Sequence, residues 1–259
     1  MRDWNAGVYH RVSNPHVEWG LPVLARLPLN GHELVLDIGC GTGRLTEKLL
    51  ERLPDGRGIG IDLSANMLSV AHEYLSPKFG AQIQFVFADA TALPFSEAAD
   101  AVFSTATFHW VLNHPRLFRS IHAALKPGGR LVAQCGGGPN LARTKQMCIA
   151  VMNRPAFASC FAGWREPWEY PDAETTARRL AAAGFVGIRT NVEPAPVVQP
   201  DAAAYREFVT NVICRPYLAQ LPEQQLRDRF IDELTEQAAA TDPPFELDYW
   251  RLNIDATRS

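Results

Sequence analysis

Asp37-Ile38-Gly39-Cys40-Gly41-Thr42-Gly43 is the segment of this chain best suited to hold a ligand. It falls between a short apolar run and a helical pattern. Backbone passes close to a ligand at such a turn, and glycine avoids a Cβ clash there while permitting positive φ. The helix that follows offers N–H groups at its start. A dinucleotide site calls for G-x-G-x-x-G, so that a pyrophosphate sits on that terminus. Here the glycines Gly39, Gly41 and Gly43 follow G-x-G-x-G, and Asp37 precedes them by two residues. An acid at that point repels a pyrophosphate but can accept from an ammonium group. Asp62, closing the second apolar run, can grip both hydroxyls of a ribose, or simply serve as a turn or N-cap residue. Asp89, ending the third, can accept from an adenine amino group or be a solvated loop acid. A glycine-rich turn without a ligand is the plain alternative for the first motif. Three acids at three consecutive strand ends argue against it.

The elements that must position these acids are legible from periodicity. Leu34-Val35-Leu36, Gly58 to Ile61, Ile83 to Phe87, Ala101-Val102-Phe103 and Leu131-Val132-Ala133 read as five short strands. Between them run helices at Arg44 to Leu53, Ala65 to Leu75 and Pro115 to Leu125. The first of these carries Leu45, Leu49 and Leu53 on one stripe. The last opens on a proline and ends at Pro127-Gly128, as helix punctuation requires. Strand and helix alternating at this spacing give parallel βαβ units with helices on both faces. Wholly apolar strands suit a sheet buried on both sides. In open sheets of this class, ligands bind in the crevice at the carboxyl ends of the strands. Residues 33–136 form this regular core. Residues 1–32 hold a helix around Val17 to Leu27. Residues 137–243 make an irregular insert with a helix at Ala173 to Ala183, a strand at Val186 to Val192, and helices at Ala202 to Ile213 and Glu223 to Ala239. Residues 244–259 contain a closing strand, Phe245 to Ile254.

The chain resembles the class I S-adenosylmethionine (SAM)-dependent methyltransferases over nearly its whole length. The matching segments are 35–43 (VLDIGCGTG), 60–64 (GIDLS), 88–90 (ADA) and 125–131 (LKPGGRL). The resemblance implies a Rossmann-like, seven-stranded, mostly parallel sheet with an antiparallel last strand and a partly helical cap over the cofactor crevice. It implies that the glycine loop with Asp37 holds the methionine end of SAM. Asp62 would take the ribose and Asp89 with Ala90 the adenine. Leu63 and Met67 would pack on the adenine faces, and Thr105 would belong to the cofactor site. Met67 is otherwise an ordinary core residue of a helix face.

The fourth strand runs into Ser104-Thr105-Ala106-Thr107-Phe108-His109-Trp110-Val111, where the sulfonium methyl would point. The Asn/Asp-Pro-Pro-aromatic motif of nucleobase amine methylation is absent. His109-Trp110-Val111 instead resembles the polar-then-Trp step of small-molecule carboxyl methyltransferases, the trans-aconitate methyltransferase group above all. That step implies that His109 orients an acceptor and Trp110 shapes its pocket. A backbone-bonded histidine and a core tryptophan are the alternatives. Tyr9, in Trp4 to Tyr9, resembles a lid tyrosine, and Trp168, in Trp164 to Tyr170, is placed to wall a substrate pocket. Either aromatic could equally be a packing staple. One departure stands against a tricarboxylate acceptor: Arg143, Arg165, Arg206 and Arg215 are dispersed, with no compact cluster.

Composition narrows the partners. The 259 residues carry a net charge of -3, with basic residues scattered, so a polyanion is a poor partner. Five cysteines without CxxC spacing read as reduced thiols of a cytosolic protein, with neither a disulfide framework nor a zinc site. No segment has the length and hydrophobicity of a signal peptide or membrane span. The expectation is a cytosolic monomer or homodimer that methylates a small molecule, uses no metal, and binds neither nucleic acid nor membrane. A carboxylate oxygen is the expected acceptor. The rivals are a hydroxyl or activated carbon with His109 as base, a SAM-binding module without catalysis, and a nicotinamide oxidoreductase.

Overall fold

A computed structural model describes residues 14–259 of the chain; Tyr9 lies outside the described residues. Helix α1 (Asn14–Arg26) precedes β1 (Leu34–Ile38), and α2 (Arg44–Leu50) leads to β2 (Arg57–Asp62). Helix α3 (Ala65–Phe79) follows, then β3 (Ile83–Phe87), β4 (Ala99–Thr105), α4 (His114–Ala124) and β5 (Leu125–Gly136). Seven strands form one sheet in the order β3-β2-β1-β4-β5-β9-β6, where β6 is Phe185–Pro194 and β9 is Trp250–Arg258. All neighbours are parallel except β9, which runs antiparallel to both β5 and β6. This is the Rossmann-like α/β sheet that the sequence pattern and the resemblance imply.

The chain goes from β1 outward to β3 on one side and from β4 outward on the other. The crevice therefore opens between β1 and β4, at their carboxyl ends. Val35, Leu36 and Ile38 are buried there. Val23 and Leu24 of α1 and Leu27 just after it close one face of the sheet with Leu49 and Leu53, while Leu117, Phe118 and Ile121 of α4 close the other.

A second hydrophobic core stands beside the sheet. It is built from α5 (Ala142–Met152), the segment 153–172, α7 (Ala202–Phe208), α8 (Arg215–Leu218) and α9 (Gln224–Ala239), while α6 (Ala173–Ala182) packs on the sheet. Phe157, Tyr205, Tyr217 and Phe230 are fully buried in it.

Several elements differ from their expected extents, each for a local reason. Helix α5 was not expected; its first turn is held by the Asp248 carboxylate, which accepts from Arg143 N–H (2.7 Å), Thr144 N–H (3.1 Å) and Thr144 Oγ1 (2.7 Å). The same residue breaks the closing strand. Phe245 to Ile254 is not one strand: Glu246–Leu247 (β8) pairs with Val197–Val198 (β7), and β9 starts only at Trp250. The helix expected over Ala202 to Ile213 stops at Phe208, and Val209–Ile213 is a π-turn. Thr210 Oγ1 donates back to the Arg206 carbonyl at 2.7 Å, a side-chain bond that competes with the helix ladder. Strand β5 begins earlier than expected, at Leu125, which pairs with Ala99 before the register shifts. Helix α2 ends at Leu50, and Leu53 closes a turn with Leu50 O instead.

Candidate active site

Two cavities meet at the carboxyl ends of β1 and β4. The larger, about 270 Å³, runs from the glycine loop across the ends of β2 and β3. The smaller, about 60 Å³, lies between the turn after β4 and the second core. Ala106 and Trp110 line both. Ala106 has φ 54°, unusual for a residue with a Cβ, and its N–H donates to Gln134 O at 2.8 Å. Such strain at the junction of two cavities is a mark of a functional turn.

The three glycines of the loop answer to three different constraints. Gly39 (φ 75°) donates its N–H to Ile61 O at 2.7 Å, and a Cβ there would lie 2.0 Å from Thr107 Oγ1. Gly41 (φ 54°) has open space where its Cβ would be and lines the larger cavity. Gly43 does not line it; a Cβ there would come within 2.7 Å of Leu75, so its role is close packing of α2 on α3.

Asp62 lines the cavity and organises it. One carboxylate oxygen accepts from Gly41 N–H at 3.0 Å and the other from Ser64 N–H at 2.9 Å. Ser64 in turn caps α3 by accepting from Met67 N–H at 3.2 Å. Leu63 is exposed and Met67 is buried, and both line the cavity with Asp89, Ala90 and Thr105. Asp89 Oδ1 accepts from Thr91 N–H at 2.8 Å, capping the short turn that follows β3. Asp37 does not line the cavity. It is buried beneath the loop, where it accepts from Thr46 Oγ1 at 2.6 Å. Burial pushes its carboxyl up to about 7, the Thr46 bond opposing and the Asp62 charge adding to the shift.

His109 sits on a clamped turn. His114, at the start of α4, approaches Phe108 O with Nε2 at 3.0 Å, Phe108 is buried, and Glu169 N–H donates to His109 O at 2.9 Å. Gly136 N–H donates to His109 Nδ1 at 3.3 Å. In the neutral ring the proton therefore lies on Nε2. Trp110 and Trp168 meet edge to face at 5.6 Å and both line the smaller cavity, as does His109. Tyr170, from the aromatic segment 164–170 singled out in the sequence, lines it as well, whereas sequence reasoning missed its polar residues Asn140, Lys145, Tyr249 and Arg251. Arg251 is buried, 3.8 Å over the Trp19 ring and 4.5 Å from the Tyr249 ring. The dispersed arginines go elsewhere: Arg143 pairs with Glu246 at 2.5 Å, Arg206 pairs with Asp232, and Arg165 is exposed. The cations that line this cavity are Lys145 and Arg251, and no acid lines it among the described residues.

Residues 35–129 match the family model for a methyltransferase domain. The chain is 31% identical over 232 residues to trans-aconitate 2-methyltransferase of Variovorax paradoxus, covering 86% of this chain and 84% of that one. To the enzyme of the same name from Paracidovorax citrulli it is 32% identical, covering 87% and 85%. The chain belongs to the class I SAM-dependent methyltransferases. Solved structures agree on the fold. Phosphoethanolamine N-methyltransferase 2 of Haemonchus contortus, in complex with S-adenosyl-L-methionine, superposes with TM-score 0.64 at 20% identity, covering 98% of this chain and 57% of that one. The YcgJ protein of Bacillus subtilis gives 0.61 at 15%, covering 96% and 98%.

SAM is the methyltransferase's cofactor, and the larger cavity fits it. Gly41 leaves backbone bare beside open space, Asp62 presents a carboxylate, and Leu63 and Met67 offer apolar surface. The methyltransferase without cofactor should also show a pH signature from Asp37. Its carboxyl, raised to about 7, binds a proton in the fold that the unfolded chain has released above about pH 4. That contribution to stability is greatest below the unfolded value and is lost as pH rises to about 7. Asp37→Asn keeps an acceptor for Thr46 and removes the titration. In urea unfolding, the variant should gain on the wild type at pH 8 relative to pH 5. An equal difference at both pH values would contradict the assignment.

Proposed function

We propose that this methyltransferase transfers the methyl group to a carboxylate oxygen of a small acid, giving a methyl ester. The observation that carries the reading is the tautomer imposed on His109. With Gly136 N–H on Nδ1, the neutral ring presents an N–H from Nε2, which suits an anionic acceptor and does not suit a base. That weighs against a hydroxyl or carbon acceptor deprotonated by His109. Lys145 and Arg251 in the same cavity also favour an anion, and the 31%- and 32%-identical relatives named above carry an acid in their name.

In this reading Asp62 takes the ribose hydroxyls, Asp89 and Ala90 the adenine, and Leu63 and Met67 its faces. Gly39, Gly41 and Thr105 border the methionine end. Asp37 supports the loop from beneath and Gly43 sets the packing of α2. Tyr9 serves as lid. When bound, SAM supplies an electrophilic methyl on a good leaving group. The chain's share is alignment and exclusion of water. A carboxylate is ionised at neutral pH, so no side chain has to take its proton. His109 Nε2–H orients it, and Trp110 and Trp168 shield it.

A cytosolic setting is part of the proposal, as is a monomer or homodimer without nucleic-acid partners. Two observations are compatible with it. All five cysteines are free, and no helix among the described residues is long and apolar enough to cross a membrane. Release of S-adenosylhomocysteine should depend on added small carboxylic acids and not on phenols or amines. Turnover with phenols alone would overturn the reading.

A further inference from the structure

Lys145 lines the acceptor cavity from α5, and its ammonium lies 2.6 Å from Glu166 Oε2. Glu166 stands outside the cavity lining. The pair is partly exposed, with side-chain exposures of 23% for Lys145 and 34% for Glu166. The helix that carries Lys145 is fixed at its start by the Asp248 carboxylate, and the ammonium also lies 5.5 Å from the Tyr170 ring centroid. The cation is thus held in place at the cavity edge, while its partner sits where water can reach it.

We infer that Glu166 is an internal stand-in for a second carboxylate of the acceptor, and that Lys145 is the residue that selects a dicarboxylate over a monocarboxylate. The inference rests on the carboxylate reading above and names its substrate class. The physical ground is an exchange. A partly exposed ion pair contributes little, and a released Glu166 regains water. An acceptor carboxylate meeting Lys145 against Trp168 and Tyr170 does so where solvent screens less. Trading one partner for the other therefore favours the acceptor. A cavity of about 60 Å³ suits a compact acid. A distal carboxylate at Lys145 leaves the first one to His109.

This arrangement makes the two partners act with opposite sign, which a mere structural strut does not. The test is calorimetric titration of the S-adenosylhomocysteine complex with four- to six-carbon dicarboxylic acids and with their half-amides. Each pair differs by one charge and hardly in shape. The wild type should bind the preferred diacid roughly tenfold or more tightly than its half-amide. Lys145→Met should abolish that preference. Glu166→Gln, which removes the competitor's charge, should tighten diacid binding about threefold. Loss of diacid affinity in both variants alike would make the pair a strut and overturn the inference. So would a wild type with no preference at any chain length. Diacids that bind with the expected preference but are never methylated would leave the role of Lys145 standing and overturn the carboxylate reading instead.

Discussion

Asp62→Ala should weaken SAM binding by a factor between about ten and a hundred. The carboxylate has two duties, and the substitution removes both. It accepts from Gly41 N–H and Ser64 N–H at 3.0 and 2.9 Å, so it ties the glycine loop to the start of α3. It also lines the cavity from the end of β2, where it is assigned to the ribose. One hydrogen bond to a charged group contributes roughly 1.5–3 kcal/mol, which gives the range above. Asp62→Asn retains one acceptor oxygen and should fall between the two proteins. Titration calorimetry with SAM reads the loss directly, and the same instrument should detect no NAD binding by the wild type. An affinity unchanged in Asp62→Ala would remove the ribose assignment. Tight NAD binding would remove the cofactor reading altogether.

The second large effect is expected at His109, and it falls on turnover. His109→Ala should lower kcat/KM by about a hundredfold, the cost of a misplaced acceptor. Its affinity for S-adenosylhomocysteine should stay near that of the wild type, because His109 lines the smaller cavity and not the larger. The two candidate roles of the ring separate on rescue. His109→Gln restores an N–H donor but no base. Partial recovery of turnover in His109→Gln supports the orienting role that the Gly136 bond to Nδ1 favours. Inactivity of both variants, with a wild-type rate that rises through the histidine range, would make His109 a base and reopen the hydroxyl or carbon acceptor.

The parts of this protein that were legible in its sequence are those whose cause is local. Leu34-Val35-Leu36 is apolar because β1 is buried on both faces, and Asp37 to Gly43 announces a ligand loop because its backbone needs positive φ at Gly39 and Gly41. Pro115 marks the start of α4 within a residue, the helix opening at His114. What was not legible arises from contacts between distant segments. Asp248 caps α5 across about a hundred residues, so neither the helix at Ala142 nor the break before β9 has a nearby signal. Lys145 and Arg251 converge on one cavity from a helix and a strand far apart in the chain, whereas a search for an arginine cluster sees only sequence neighbours. Asp37 shows the same limit in reverse. Its spacing to the glycines is right for a ligand acid, but Thr46, one helix further on, holds its side chain beneath the loop.

In the proposed reaction the methyl group ends on a carboxylate oxygen. An ester yields to mild alkali, whereas a methyl ether, a methylamine or a C-methyl group survives it. The deciding measurement is brief base treatment of the product formed from SAM labelled in its methyl group. The label should leave as methanol. A label that stays with the acceptor after alkali would contradict it.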